Sequence, residues 1–490
     1  MPATGSCEPT IRDAVETAPR ERLAELQLER LRATAARVLG AATPLAARLR
    51  EAGIESAADV RSLDDLRRLP FSEKGDLREH YPFGLLAVPL ERVARVHASS
   101  GTGGKPTVVG YTAADLEVWT EVMARCMAMA GVGAGTVVHN AYGYGLFTGG
   151  LGFHQGAERL GATVVPASGG MTARHAQLLR DLGGQVLCCT PSYALHIAEA
   201  LRDGGIGPDE LALEVGMFGA EPWSAAMREQ LERELGITAL NIYGLSEIVG
   251  PGVAAECPQR AGLHVQEDHF LAEVADPRSG EPLSPGQPGE LVFTTLTKEA
   301  LPLVRYRTGD LAALDVEPCA CGRALARMGA VTGRLDDMLI IRGINLYPSE
   351  VERVLLAVDG IAPHYQLVVT RRGALDELTV QCEPAADGAD RGELVRRAER
   401  ALHEATGLGI AVELLEHGGC RGERARRCGS STVADPRPPG LPPPAKGSRP
   451  SARRPCAGRW IRSERTESKG HERQQQARLY GGQGADEAGA

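Results

Sequence analysis

Aromatic residues are scarce in this chain, 4% of its 490 positions, and no apolar run approaches the roughly eighteen residues a membrane-crossing helix needs. Basic excess is missing as well. The formal net charge is −9, which argues against the positive footprint of a nucleic-acid binder and points to a small-molecule partner. The N-terminus carries Glu8, Asp13 and Glu16 where a secretory leader would place a basic and then an apolar stretch. Eleven cysteines are present, scattered without the spacing of a disulfide framework. Together these absences predict a cytoplasmic protein without a membrane partner.

What is present is length and rhythm. With 43% hydrophobic residues over this length, two or three structural units are expected. The first 90 or so residues are charged and helical, with Leu23, Leu26, Leu31 and Val38 at helical spacing, a pattern suited to a packing layer. From about residue 91 to 334, short β-rich runs alternate with amphipathic segments. Val93–Val96, Thr163–Val165, Val186–Cys189, Val215–Gly219 and Leu240–Tyr243 read as strands, while Leu116, Trp119, Met123, Cys126, Met127 and Ala130 share one helical face. Such alternation predicts βαβ units and a largely parallel sheet. From Asp336 to about Glu416 the rhythm becomes hairpin, helix, strand pair, helix and strand, a compact α+β unit. From Cys420 to Ala490 the chain is rich in Arg, Gly, Pro and Ser and has almost nothing apolar to bury, so a disordered tail is expected.

Four segments carry chemistry, in a fixed order. The first, Ser99-Ser100-Gly101-Thr102-Gly103-Gly104-Lys105-Pro106-Thr107, follows a predicted strand; its glycines let backbone N–H groups approach phosphate oxygens, its hydroxyls add donors, and Lys105 adds charge. Pro106 after Lys105 separates it from the loop type in which Gly-Lys is followed by Ser or Thr at a helix start. The second is Tyr243-Gly244-Leu245-Ser246-Glu247, the third Tyr306-Arg307-Thr308-Gly309-Asp310, and the fourth Gly333-Arg334-Leu335-Asp336-Asp337 leading to Arg342-Gly343. Glu247, just past a strand and a glycine turn, is a candidate Mg²⁺ ligand. Asp310, expected in a loop, is a candidate acceptor for ribose hydroxyls.

Taken in order these segments resemble the motif series of the adenylate-forming superfamily of acyl-CoA synthetases. Ala141–Gly150, Cys189–Tyr193, Phe218–Trp223 and Asp337–Gly343 are similar, more closely, to the aryl-acetate CoA ligases within it, and the similarity runs from about Leu69 to Glu416. The resemblance implies an α/β fold: a large multi-sheet N-terminal domain over residues 1–334 that binds ATP and the acyl group, a small mobile C-terminal domain over 336–417, and a disordered tail over 418–490. It implies an AMP-forming acid–thiol ligase that uses ATP, Mg²⁺ and coenzyme A on a small aryl acid, with a homodimer as the family's usual assembly. Ser99, Ser100, Gly101, Thr102, Gly103, Gly104, Lys105 and Thr107 would grip the phosphates, with Lys105, Glu247 and Asp336 as the catalytic set and Asp336 also the domain pivot. Ala220, Glu221, Tyr243, Gly244 and Ser246 would line the adenine pocket, Asp310 would hold the ribose, Arg334 would contact the nucleotide, and Gly343 and Asn345 would meet the CoA tunnel. Tyr142, Phe147 and Gly219 would wall the aryl group. Alternatives are an enzyme that loads a carrier protein and a binding relic impaired in adenylation.

Two further features bear on that reading. Cys257, His264, Cys319 and Cys321 could close a tetrahedral zinc site; spacing alone leaves free thiols level with it, and the resemblance, which includes relatives with a structural zinc at similar positions, tips the balance toward the metal. The resemblance also implies a catalytic lysine in a Gly-Lys context after the last strand. After Glu416 the chain reads His417-Gly418-Gly419-Cys420-Arg421-Gly422-Glu423-Arg424-Ala425-Arg426-Arg427, and its remaining lysines are Lys446 and Lys469. A lost reading frame near Gly419 would account for both the missing lysine and the change in composition.

Overall fold

In the computed structural model of the chain, residues 7–99, 106–335, 339–341, 344–346, 348–372, 375–386, 390–416 and 432–433 are described. Helix α1 (Arg20–Leu39) turns Leu31, Ala35 and Val38 inward, where they pack on Leu45 and Leu49 of α2 (Pro44–Glu51) and on Ile54 and Leu66. This is the expected packing layer. After α3 (Lys74–Glu79), strands β1 (Arg95–Ser99) and β2 (Thr107–Tyr111) pair antiparallel with Ser99 opposite Thr107. The first strand therefore starts later than the Val93–Val96 run suggested. Leu90–Arg92 forms a tight turn, and the Val93 N–H closes it on the Leu90 carbonyl.

Strands and helices then alternate: α4 (Ala113–Met129), β3 (Val137–Asn140), α5 (Gly149–Arg159), β4 (Thr163–Val165), α6 (Thr172–Leu182), β5 (Val186–Cys189), α7 (Pro191–Asp203), β6 (Val215–Gly219), α8 (Ala225–Leu235) and β7 (Thr238–Leu245). Every residue of β5 and β6 is buried, as expected of parallel strands covered on both faces. The order β4-β3-β5-β6-β7 is parallel throughout. Beyond Gly250 the helices stop, through β8 (Gly250–Glu256), β9 (Leu263–Val265), β10 (Phe270–Ala275), β11 (Gly289–Thr295), β12 (Tyr306–Ala312), β13 (Leu314–Asp315), β14 (Arg327–Met328) and β15 (Gly333–Arg334). Without helical crossovers these strands pair antiparallel. β8, β9, β14 and β13 extend the parallel set to a nine-stranded sheet, and β10-β11-β12-β15 form a separate four-stranded one. The expectation of a largely parallel sheet thus holds only as far as β7.

The last part follows the predicted rhythm. A hairpin of β16 (Leu339–Ile341) and β17 (Ile344–Leu346) leads into α9 (Pro348–Leu356), the paired β18 (Ile361–Arg372) and β19 (Leu375–Pro384), α10 (Arg391–Thr406) and β20 (Ala411–Leu414). These elements close their own apolar core around Val351, Leu355, Leu367, Val380, Leu394 and Leu402. In the stretch expected to be disordered, the only described residues form β21 (Thr432–Val433), which pairs parallel with β18; the rest of 418–490 lies outside the described residues. Among the described residues no helix is long and apolar enough to cross a membrane.

Candidate active site and a cysteine–histidine cluster

β6 and β7 run side by side in register in the middle of the nine-stranded sheet, so the residues after Gly219 and around Tyr243 meet at the carboxyl ends of these strands. Glycine is required where the two backbones close on their neighbours: a Cβ at Gly219 would stand 2.1 Å from the Ile242 carbonyl oxygen, and one at Gly244 would stand 1.9 Å from that of Gly250. Ala220 follows in a left-handed conformation, φ 70°, which costs an alanine energy and is the kind of strain that binding sites retain. The cavity so formed, about 130 Å³, is lined by Ala220, Glu221, Trp223, Asn241, Tyr243, Gly244, Met328, Val331, Asp310 and Arg334. Its apolar sides and charged end suit a flat base attached to a polar sugar.

The charged end is built by two sheets. Tyr243 Oη donates to Asp310 Oδ2 at 2.7 Å, and Arg334 Nη1 donates to Asp310 Oδ1 at 2.5 Å. Asp310 lies inside β12, in register with Arg334, and not in the loop predicted for it. The reason is the alternation of Tyr306–Ala312, which turns Tyr306, Thr308, Asp310 and Ala312 to the buried side. Burial first, and the Asp310 charge second, push the Tyr243 phenol well above its ordinary range, so it remains a donor. Glu221 accepts from the Ser192 N–H at 2.7 Å, and burial raises its pKa. Tyr142 stacks on Phe153 at 4.9 Å, and its hydroxyl faces the Gly219 main chain. Phe147 stands apart, 55% exposed.

Glu247 sits in the turn after β7 and is buried. Among the described residues its carboxylate has no hydrogen-bond or salt-bridge partner. Its main chain is pinned from below by Lys298, which nothing in the sequence singled out. Lys298 Nζ donates to the Glu247 carbonyl at 3.0 Å and to that of Ile248 at 2.7 Å, 4.8 Å from the Tyr111 ring centroid. Burial pulls its pKa down to about 8. Asp115, which caps α4, accepts from the Glu299 and Ala300 N–H groups and so fixes the turn that carries this lysine. The one local signal for Lys298 was a lone lysine between two apolar runs.

Ser99 and Thr107 face each other across the mouth of the first motif, and among the described residues neither buried hydroxyl has a hydrogen-bond partner. Ser100, Gly101, Thr102, Gly103, Gly104, Lys105, Asp336 and Gly343 lie outside the described residues, and Asn345 is described only as backbone in β17. Ser246 accepts through its carbonyl from Tyr111 Oη, and its hydroxyl meets that of Thr148 at 3.2 Å.

The cysteine–histidine set converges. Cys257 Sγ and Cys319 Sγ are 3.8 Å apart, Cys321 Sγ and His264 Nε2 are 3.5 Å apart, and all four ligand atoms lie within 4.8 Å of one another. A tetrahedron with Zn–S of about 2.3 Å and Zn–N of about 2.0–2.1 Å has edges of about 3.8 Å (S to S) and about 3.5 Å (S to N), so the donor set fits zinc. Burial holds His264 down to about 4, in the neutral state a ligand requires. Arg323 Nη1 lies 3.7 Å from Cys321 Sγ and pairs with buried Glu16, so the N-terminal segment is stapled to this cluster.

Comparison with known proteins agrees with this geometry. Residues 36–296 match the profile described as AMP-binding enzyme, more than half of the chain, and residues 343–428 match that of the AMP-binding enzyme C-terminal domain, a match that continues past Gly419. The cleft, the sheets around it and the smaller α+β part are thus those of an adenylate-forming, AMP-binding enzyme. The chain is 58% identical over 370 residues to phenylacetate-coenzyme A ligase of Thermus thermophilus, covering 75% of this chain and 83% of that one. It is 51% identical over 373 residues to phenylacetate-coenzyme A ligase of Escherichia coli, covering 76% and 84%. It belongs to the phenylacetate-coenzyme A ligase family. Among solved structures, 2-hydroxyisobutyryl-CoA ligase in its postadenylation state with 2-HIB-AMP superposes with a TM-score of 0.77 at 31% identity, covering 82% of this chain and 87% of that one. The same ligase in its thioesterification state gives 0.64 at 31% identity, covering 85% and 91%.

Proposed function

We propose that this chain activates phenylacetate, or a close aryl acid, with ATP and transfers the acyl group to coenzyme A. The observation that carries this is the convergence of Glu221, Tyr243, Asp310 and Arg334 in one cleft at the carboxyl ends of β6 and β7, in a chain of this family. In the first step a carboxylate oxygen of the acid attacks the α-phosphorus, the bond from that phosphorus to the bridging oxygen breaks, and pyrophosphate leaves. In the second the CoA sulfur attacks the acyl carbon, the bond to AMP breaks, and the thiol proton passes to solvent. No covalent enzyme intermediate is needed, so the protein acts by position and charge.

The residue roles follow the cleft. Ala220, Glu221 and Gly244 border the base, Tyr243 and Arg334 hold Asp310 toward the ribose, and Tyr142 and Gly219 stand where an acyl wall is needed. Ser99 and Thr107 anchor the phosphate loop that carries Lys105. The buried, unpartnered Glu247 carboxylate is the chemistry a hard cation takes, so Glu247 would hold Mg²⁺, which supplies charge neutralisation at the phosphates. Cys257, His264, Cys319 and Cys321 would hold a structural zinc. The better superposition on a postadenylation state supports a reading in which the arrangement here is the one that holds an adenylate, with Asp336 the pivot toward a second arrangement that brings Gly343 and Asn345 to CoA. The cytoplasm and a homodimer complete this reading.

One observation favours a second reading, slowed adenylation: no lysine follows Glu416 until Lys446. The test is AMP formation from Mg-ATP, phenylacetate and CoA, run beside a reaction started from phenylacetyl-adenylate and CoA. Turnover in both supports the ligase; turnover from the adenylate alone selects the second reading; silence in both overturns the proposal.

A further inference from the structure

Away from the cleft and from the cysteine cluster, three metal-ligating side chains from distant parts of the chain meet. His196 and Glu199 are three residues apart on α7, on one helix face, and His364 comes from β18. His364 Nε2 lies 3.0 Å from Glu199 Oε1, and His196 Nδ1 lies 3.5 Å from Glu199 Oε2. The two imidazoles stack with centroids 5.0 Å apart and planes 18° apart, and one ligand atom from each of the three residues lies within 4.8 Å of the others.

We propose that His196, Glu199 and His364 form a divalent transition-metal site that ties β18 to α7. Two imidazoles and one carboxylate are the donors of zinc, nickel or cobalt, whereas magnesium and calcium select all-oxygen sets. Ligand atoms about 2.0–2.1 Å from a tetrahedral centre stand about 3.3 Å apart, close to the 3.0 Å and 3.5 Å that separate the two imidazoles from the two oxygens of the Glu199 carboxylate. The side chains of His364, Glu199 and His196 are 10%, 20% and 36% exposed, so the site is sheltered on the β18 side and open to solvent on the α7 side. Among the described residues it has three protein ligands and the cysteine cluster four, so this site leaves a position open to a further ligand such as water where the cysteine cluster is closed. α7 lies in the stretch matched by the AMP-binding enzyme profile and β18 in the stretch matched by the C-terminal domain profile, so an ion held here binds the two together.

The site is tested on the full-length chain without substrates, which keeps the outcome independent of catalysis. After zinc loading and removal of weakly held metal, Ni²⁺ uptake is counted by equilibrium dialysis for the wild type, His196→Gln, His364→Gln and, as a control for the cysteine cluster, Cys319→Ser. His196 is the most exposed of the three, so His196→Gln tests the site with the least disturbance to the fold. The expected result is that both histidine variants bind one Ni²⁺ fewer than the wild type, or bind it at least about tenfold more weakly, while Cys319→Ser retains that ion. Equal Ni²⁺ uptake by the wild type and both histidine variants overturns the proposal and leaves the cluster a carboxylate–imidazole contact.

Discussion

A hydrogen bond between Tyr243 and Asp310 ties the nine-stranded sheet to the four-stranded one: the phenol at the end of β7 donates to the carboxylate within β12 across 2.7 Å. Arg334 holds the other carboxylate oxygen, so Asp310 is oriented from two sides before any ligand arrives. Removing the Tyr243 hydroxyl leaves the arginine contact intact and costs about 1 kcal/mol of stability. Tyr243→Phe should therefore raise the KM for ATP several-fold with little change in melting temperature. Asp310→Ala removes the carboxylate that Arg334 and Tyr243 share, at a cost of about 3 kcal/mol, and should abolish ATP-dependent AMP formation. Nucleotide binding by calorimetry, beside thermal melts of both variants, checks the pair.

Lys298 is the second lever. Its ammonium group is buried under the turn that presents Glu247 and donates to the two carbonyls of that turn. A hydrogen bond from a charged donor is worth about 1.5–3 kcal/mol, and Lys298→Met removes both while leaving two carbonyls unsatisfied. We expect a loss of about 3 kcal/mol in stability and a rise in the Mg²⁺ concentration needed for half-maximal AMP formation. If the melting temperature falls and the Mg²⁺ dependence does not move, Lys298 supports the fold alone.

These two levers mark the limit of what the sequence made legible. The Tyr243–Glu247 turn could be read because glycine, hydroxyl and carboxylate stand together in sequence, whereas spacing left the cysteine–histidine set level with free thiols and only the fold brings Cys257 and His264 to Cys319 and Cys321; most of the Ser99–Thr107 loop lies outside the described residues. The β-rich runs from Thr163 to Tyr243 were legible because apolar periodicity is itself local. The placement of Asp310 within a strand depends on pairing with Arg334, and the role of Lys298 depends on a turn some fifty residues away in sequence. Met328 meets Trp223 and Asn241 in the cleft for the same reason, since it arrives on β14, paired with β9, from a distant part of the sequence. Neither propensity nor spacing encodes such contacts.

Glu352 on α9 gives a pH dependence with a definite sign. Burial, opposed by the hydrogen bond from Tyr365, raises its pKa from 4.5 to about 7, with the Glu221 charge adding to the rise. Its Oε1 is buried without a partner, which suits a protonated carboxyl. Because the folded state holds this proton more tightly than the unfolded state, its contribution is fully present below pH 4.5 and is lost as pH rises through about 7. Glu352→Gln, which keeps the neutral shape, should remove that slope, worth about 3 kcal/mol between the two limits. Denaturant unfolding at pH 5 and at pH 7.5 measures it; the same slope in wild type and variant would falsify the assignment.

The cysteine–histidine cluster allows metal removal to be separated from loss of the nucleotide site. Its four ligands come from the end of β8, from β9 and from the Cys319–Cys321 loop, and Arg323 and Glu16 fasten that loop to the N-terminal segment. A zinc ion here holds β8 and β9, which lie beside β7 in the nine-stranded sheet, and none of its four ligands lines the cleft, so its removal should weaken the fold without removing any group that borders the base. Chelation, or Cys319→Ser, should release one zinc and lower stability by several kcal/mol, with the loss reversed by added zinc in the wild type and not in the variant. Zinc content by atomic absorption, read beside the melting temperature, decides the matter. A purified chain that carries no zinc and melts at the same temperature with and without chelator would leave Cys257, Cys319 and Cys321 as free thiols. In that case the 3.8 Å separation of Cys257 and Cys319 would reflect packing alone.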